Sequence, residues 1–317
     1  MRIGITFTAK CNAADDIVCQ PGDAALGDAE EEFDSPETVA AIARALESLG
    51  HEAVLLGDGQ QLVRRLLDEP HPDLVFNFAE GRGSLRSREA RVPALLETFG
   101  IPYTGSDPLT LAVALDKEVA KRLVRAAGVA TPEWVLVDRG LDHELVTALD
   151  RLPLPVFVKP AFEGSSKGIV GSNFIADRTA LHDTVGQLHQ TYQQPILVEE
   201  FIEGDELTVG IVGHEPGDVL GIMRVLPRDE RAGPFVYSLD VKRDWRRRVR
   251  YECPAQLSRS DTHAVRRAAL SAWRALGCRD VARIDFRLRD GEAYFLETNP
   301  LPGLSPESGD LVLLAQA

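Results

Sequence analysis

The sequence predicts a chain of mixed class: one α/β unit built on a parallel sheet, then two α+β units. Two observations carry this. Up to residue 111 strand-like and helix-like segments alternate, the signature of a parallel sheet covered on both faces. From about residue 131 the strand-like segments follow one another across short turns, as antiparallel strands do. The character changes near residues 112 and 192, which divides the 317 residues into units of 1–111, 112–191 and 192–317.

Residues 2–7 form the first strand, and the Ala-, Asp-, Glu- and Gly-rich stretch 10–34 reads as a loop. "SPETVAAIARALESLG" is a helix with Ser35 as its N-cap, Pro36 at the first position, Glu37 in the first turn and Gly50 past the end. "HEAVLL" and "DLVFNF" are strands around a helical "QQLVRRLLDE". A helix over 86–99 stops at Gly100, "IPYTGS" is a short strand and turn, and 107–128 reads as one helix. "WVLV", "VFVKP", "GIVGSNFI" and "ILVEEFI" are then strands, with a helix near 178–191. The last third adds strands at 206–212, 219–225, 281–288 and 292–298, and a helix at 260–276.

Composition narrows the function. A net charge of −14 argues against a nucleic-acid partner, which needs a basic face to displace counterions. The basic run "KRDWRRRVR" (242–250) is read as a lid or a salt-bridged strand. No apolar run approaches the roughly 20 residues of a membrane helix, so no membrane partner is expected. "MRIGITFTAK" reads as a first strand and not as a signal peptide. Cys11, Cys19, Cys253 and Cys278 include no C-x-x-C pair, so neither a disulfide framework nor a zinc site is expected; a reducing cytoplasm is the expected location.

Three stretches carry chemistry. "FVKPAFEGSSKG" (157–168) ends a strand on Lys159 and follows it with Gly164, Ser165 and Ser166, a turn whose N–H groups can cup an anion or simply join two strands. "RIDFRLRDGEAYFLETNP" (283–300) reads as a hairpin around Asp290-Gly291. Arg283, Asp285, Glu297 and Asn299 are odd-numbered, while Ile284, Phe286, Leu288, Tyr294 and Leu296 are even. A three-residue loop with Gly291 in αL geometry would gather the polar four on one face. Such an oxygen-rich face suits Mg²⁺; the plain alternative is a solvated face with Arg283 paired to Glu297. "ILVEEFIEGDELTV" (196–209) brackets a turn with Glu199 and Glu206, which suit an adenine amino group and ribose hydroxyls or are merely exposed acids.

With "DKEVAKRLVRAAGVATP" ahead of them and "LPGLSPES" behind, these stretches stand in an order and spacing that resembles the ATP-grasp superfamily, specifically its D-alanine–D-alanine ligase branch. The resemblance covers essentially the whole chain. It implies an N-terminal α/β domain and two α+β subdomains clamping ATP between them. It implies that Lys117, Lys159 and Lys242 contact ATP phosphates, that Glu199 with its neighbouring backbone meets adenine and Glu206 the ribose, and that Ser165 and Ser166 lie in a lid over the γ-phosphate. Asp285, Glu297 and Asn299 would hold two Mg²⁺ ions. Arg283 and the Gly303 N–H would form the oxyanion site, and Ser308 would hold the second substrate's carboxylate. The implied reaction is ATP-dependent, ADP-forming dipeptide synthesis through an acyl phosphate, by a protein whose relatives are commonly homodimers. The N-terminal domain departs from the family pattern. Glu37, or Glu32 on the other side of Ser35, is the candidate substrate-binding acid, and Arg243 stands where the family has a tyrosine. Arg82, Arg86 and Arg88 fall where the first amino acid binds; guanidinium forks suit carboxylates, which points to a dicarboxylic donor such as glutamate, and the equal alternative is that they are surface residues or phosphate partners. The alternatives are a true D-alanine–D-alanine ligase and a non-catalytic ATP-binding relative.

Overall fold

The computed structural model describes residues 1–10, 27–169, 171–229 and 235–317, the side chain of Ser172 excepted; Cys11 and Cys19 lie outside this set. Strands β1 (Arg2–Thr6), β2 (Glu52–Leu55) and β3 (Leu74–Asn77) form a parallel sheet in the order β2-β1-β3. Helix α1 (Pro36–Ser48) starts where Ser35 accepts a hydrogen bond from the Thr38 N–H at 3.3 Å. It packs Val39 against Ile5 and Phe78 on one side of the sheet. On the other side α2 (Gly59–Asp68) and α3 (Arg91–Phe99) bring Leu62, Leu66 and Leu96 onto Val75. Both faces are thus covered, as a parallel sheet requires.

The span 107–128 is two helices and not one. α4 (Pro108–Leu115) ends at Asp116, which is extended (φ −81°, ψ 93°) and caps α5 (Lys117–Ala126) by accepting from the Val119 N–H at 3.2 Å. Aspartate competes for backbone donors and so favours a cap over a helix interior. The break places Lys117 at the first position of α5.

A second sheet, order β4-β7-β5-β6, is antiparallel throughout: β4 (Trp134–Val137), β5 (Val156–Pro160), β6 (Phe174–Ile175) and β7 (Ile196–Glu200). Helices α6 (His143–Arg151) and α7 (Leu181–Tyr192) cover it through Leu149, Leu181 and Val185. Of the described residues of the strand predicted over "GIVGSNFI", only Phe174 and Ile175 pair. Gly168 ahead of them turns the chain at φ +71°, and a Cβ there would fall 2.6 Å from Pro160 Cγ.

The third sheet is antiparallel, order β10-β9-β8-β11-β12: β8 (Asp205–Gly213), β9 (Asp218–Pro227), β10 (Val249–Glu252), β11 (Asp280–Arg289) and β12 (Glu292–Asn299). Helix α10 (Arg259–Leu276) lays Ala269 and Trp273 on Phe286 and Phe295, and Ala120 and Val124 of α5 join the same core. β7 belongs to the second sheet and α5 to the third core. We therefore propose shifting the divisions at 112 and 192, so that the central unit runs from β4 through β7. Short helices α8 (Leu239–Arg243) and α9 (Trp245–Arg248) precede β10, and α11 (Asp310–Gln316) closes the chain. The basic run is laced with ion pairs: Arg243–Glu31 at 2.6 Å, Arg246–Glu307 at 2.6 Å, Arg248–Asp244 at 3.6 Å and Arg250–Glu252 at 3.7 Å. No helix among the described residues is long and apolar enough to cross a membrane.

Candidate active site

The β11–β12 hairpin has a two-residue loop, Asp290 and Gly291, both at positive φ (52° and 81°), and not the three-residue loop expected from parity. Such a turn matches the strand twist. Alone it would put Asp285 and Glu297 on opposite faces. A β-bulge corrects the register: Phe286 pairs with Phe295, then Asp285 pairs with Glu297, leaving Leu296 extra. Phe295 is in the core, whereas Leu296 turns to the polar face beside Glu297. Asp285, Glu297 and Asn299 are brought together by this bulge and not by the loop.

One cavity opens between the second and third sheets. Lys159, Ser166, Glu199, Glu206, Lys242 and Asp285 line it, with Leu296 and Phe201 supplying apolar wall. Glu199 is buried with Lys159 at 2.6 Å on one oxygen and Lys121 at 2.8 Å on the other. Burial opposes its charge, but the two lysines hold its carboxyl below the usual range. Its oxygens are therefore committed to cations, and an adenine in this cavity would meet the neighbouring wall instead. Lys121, missed in the sequence, is depressed to about 8 by burial despite Glu199. Its only signal is spacing: it falls one helical turn beyond Lys117. Glu206 is held by Arg287 at 2.6 Å, and that guanidinium also lies 4.7 Å over the Phe201 ring.

Two loops roof this cavity and touch each other. Ser165 and Ser166 sit at φ 46° and 60°, and the Ser166 hydroxyl donates to the Tyr237 carbonyl at 3.3 Å. The Leu239 N–H donates to the Ile169 carbonyl at 3.0 Å. Lys242 follows, 5.2 Å over the Tyr237 ring, its ammonium pKa lowered by burial and by Arg283. Where a tyrosine was expected, Arg243 reaches across to Glu31 and to the Gly27 carbonyl at 2.7 Å.

A second cavity, about 310 Å³, lies between the first and third sheets and is lined by Ser165, Lys117, Asn299, Gly303 and Ser308 among others. Gly309 closes the loop under it, since a Cβ there would fall 2.5 Å from the Gly303 carbonyl oxygen. Arg283 and Glu297 line both cavities. Arg283 is fixed by Asp285 at 2.8 Å and by Asp310, also missed in the sequence, at 2.7 Å. Its Nε has no hydrogen-bond partner among the described residues. Lys117 is 3.4 Å from Glu297, and although burial opposes it, Lys117, Lys159, Arg283 and Lys242 hold that carboxyl well below the usual range.

The arginine cluster is a correction. Arg82, Arg86 and Arg88 do not line the second cavity. Arg82 donates to the Ala9 carbonyl at 2.5 Å and stacks 4.8 Å over Phe33; Arg86 is exposed beside Asp116 at 3.5 Å. Arg88, 1% exposed, binds both oxygens of Glu32 at 2.9 and 2.8 Å and the Phe162 carbonyl at 2.7 Å. Glu32 also accepts from the Gly164 N–H and pairs with Lys167 at 3.3 Å, so it ties the lid to the N-terminal unit. Glu37 is exposed at the start of α1 and lines neither cavity.

Residues 123–316 match the family profile described as "D-ala D-ala ligase C-terminus". The chain is 35% identical to the D-alanine–D-alanine ligase of Ralstonia nicotianae over 268 residues, 83% of this chain and 76% of that protein. The chain belongs to the D-alanine–D-alanine ligase family. An uncharacterized Sinorhizobium fredii protein, y4sG, is 34% identical over 84% of this chain and 79% of its own length. The fold matches a Bacillus anthracis D-alanine–D-alanine ligase crystallised with ATP (TM-score 0.72, 22% identity, 100% of this chain and 91% of that one). It also matches the VanG D-Ala:D-Ser ligase of Enterococcus faecalis (TM-score 0.73, 20% identity, 97% and 92%). The fold is therefore ATP-grasp, and the protein is an ATP-dependent carboxylate–amine ligase of this family.

The ligase's donor set fits a hard divalent cation. Asp285, Glu297 and Asn299 offer oxygen only, and no group of three or more His, Cys, Asp or Glu among the described residues forms a rival site. Burial raises Asp285 to about 6 against the pull of Arg283, with the facing Glu297 adding to the rise. Two carboxylates facing each other in a buried site leave room for a further positive charge.

Proposed function

We propose that this ligase joins two amino acids into a dipeptide, forming ADP and phosphate through an acyl phosphate. The observation that supports it most is the pair Arg283 and Glu297, which lies in the wall between a nucleotide-type cavity and a second, polar one. In this reading ATP occupies the first cavity with its phosphates toward Lys159, Lys117 and Lys242 and under Ser165 and Ser166. Glu206 faces the ribose, and the wall beside Glu199 faces the adenine. Asp285, Glu297 and Asn299 would hold Mg²⁺, which would supply charge neutralisation at the phosphates.

The donor's carboxylate oxygen attacks the γ-phosphorus, and the bond to the ADP oxygen breaks. The amine of the second amino acid then attacks the acyl carbon. Negative charge collects on the former carbonyl oxygen, and the proposed donors to it are the Arg283 Nε–H, which has no hydrogen-bond partner among the described residues, and the Gly303 N–H. Ser308 is the proposed partner of the acceptor's carboxylate. Phosphate leaves as the amide forms. The touching lids exclude water, which would otherwise hydrolyse the acyl phosphate.

The names of the relatives favour D-alanine as both substrates, and that is the second reading. A dicarboxylic donor loses its support, because its arginines are committed elsewhere. A non-catalytic role is disfavoured by the intact Arg283, Asp285, Glu297 and Asn299 set. Cytoplasmic location and a homodimer complete the proposal on the family resemblance alone. Donor labelled with ¹⁸O in its carboxylate should deliver one ¹⁸O to the released phosphate; unlabelled phosphate would reject the acyl phosphate.

A further inference from the structure

The amino-acid cavity is walled on its N-terminal side by carboxylates. Glu31, Glu32, Asp34, Glu80 and Glu89 line it, against Lys10 and Lys117. Two of the five are already neutralised, Glu31 by Arg243 and Glu32 by Arg88 and Lys167. Asp34, Glu80 and Glu89 have no ion pair with a lysine or arginine among the described residues. Glu89 is only 7% exposed and shares a hydrogen bond with Glu80. Across the cavity, Thr298 is 3% exposed and its buried hydroxyl has no hydrogen-bond partner among the described residues.

Buried carboxylates without an ion pair are costly, although Arg88 offsets part of that cost at Glu80, and Arg88 and Lys117 part of it at Glu89. A small neutral side chain would leave them so, and a dicarboxylic one would add like charge. The donor's α-ammonium answers one of the three. We infer that the donor amino acid carries a second ammonium on its side chain, held by Glu80 and Glu89. This rests on the ligase reading for the word donor, although the charge preference can be measured without turnover.

The titration of these groups agrees with it. Glu80 is raised by burial and by Glu89, Glu32 and Asp34, with Arg88 opposing. Glu89 is raised to about 7 by burial, against Arg88 and Lys117, with Glu32 adding to the rise. A bound ammonium favours their charged forms, so binding releases protons near neutrality and tightens as pH rises through about 7.

The test is calorimetry on the full chain with Mg²⁺ and a non-hydrolysable ATP analogue, titrating D- and L-ornithine, D- and L-lysine and D-alanine. One enantiomer of ornithine or lysine should bind at least about 10-fold tighter than alanine, a difference of about 1.4 kcal/mol. That advantage should shrink in both Glu89→Gln and Glu80→Gln, and two buffers of different ionisation enthalpy should report proton release. Diamino acids that fail to bind, bind no tighter than alanine, or keep their advantage in both variants would overturn the inference. Tight diamino-acid binding with no ADP release for any acceptor amine would instead reject the ligase reading and leave the charge preference standing.

Discussion

Glu297 lines both cavities, as Arg283 does, and lies 3.4 Å from Lys117 and 3.8 Å from Arg283. Glu297→Gln keeps the shape and removes the charge. Turnover should fall by roughly 100-fold or more, the scale of losing one preorganised charged group, while the circular dichroism spectrum is unchanged. Unchanged turnover would discredit the metal assignment. Glu89 gives a stability prediction. Its folded pKa, about 7, lies above its unfolded value near 4.5. The folded state then binds more protons between these values, so the contribution is full below about 4.5 and is lost as pH rises through about 7. Urea denaturation without ligands should show stability declining over that window, and Glu89→Gln should flatten the decline. A wild-type slope of the opposite sign would mean that Glu89 is already charged in the folded protein.

At the scale of elements, two small devices place the chemistry. Asp116 breaks the helix so that Lys117 opens α5, with its N–H on the Ala161 carbonyl at 3.2 Å. Asp116→Ala should cost about 1 kcal/mol of stability, as lost N-caps do, whereas Asp116→Asn should cost less because asparagine also caps. Equal losses in urea unfolding would point to the Arg86 contact instead. The bulge at Leu296 is the second device. Deleting Leu296 would leave a regular ladder in which the pairs Phe286–Phe295 and Asp285–Glu297 become consecutive, so the two carboxylates still share a face. The deletion variant should therefore keep amino-acid-dependent ADP release; its loss would mean that the bend of the bulge, and not the register alone, sets the site. Much of this was legible in the sequence: the strand ends carrying Lys159 and Glu199, and the shared face of Asp285 and Glu297. The bulge was not, because its extra residue is a leucine at a position whose parity reads as core. The break at Asp116 was hidden by strong helix formers on both sides.

Across the whole molecule, the N-terminal unit does more than wall the substrate cavity. Arg88, Glu32 and Lys167 form a buried cross-unit network that joins positions far apart in the chain. No local pattern marks such a network, which is why Arg88 read as a carboxylate receptor while its place in the fold makes it a clamp on the lid. The central claim is that the two cavities form one ligase site. It is tested most directly by incubating the protein with ATP, Mg²⁺ and pairs of amino acids, then measuring ADP, phosphate and product mass together. The account predicts ADP, phosphate and a dipeptide in equal amounts, and only with a matching pair. ADP released with no amide product, or AMP and pyrophosphate in place of ADP and phosphate, would contradict it.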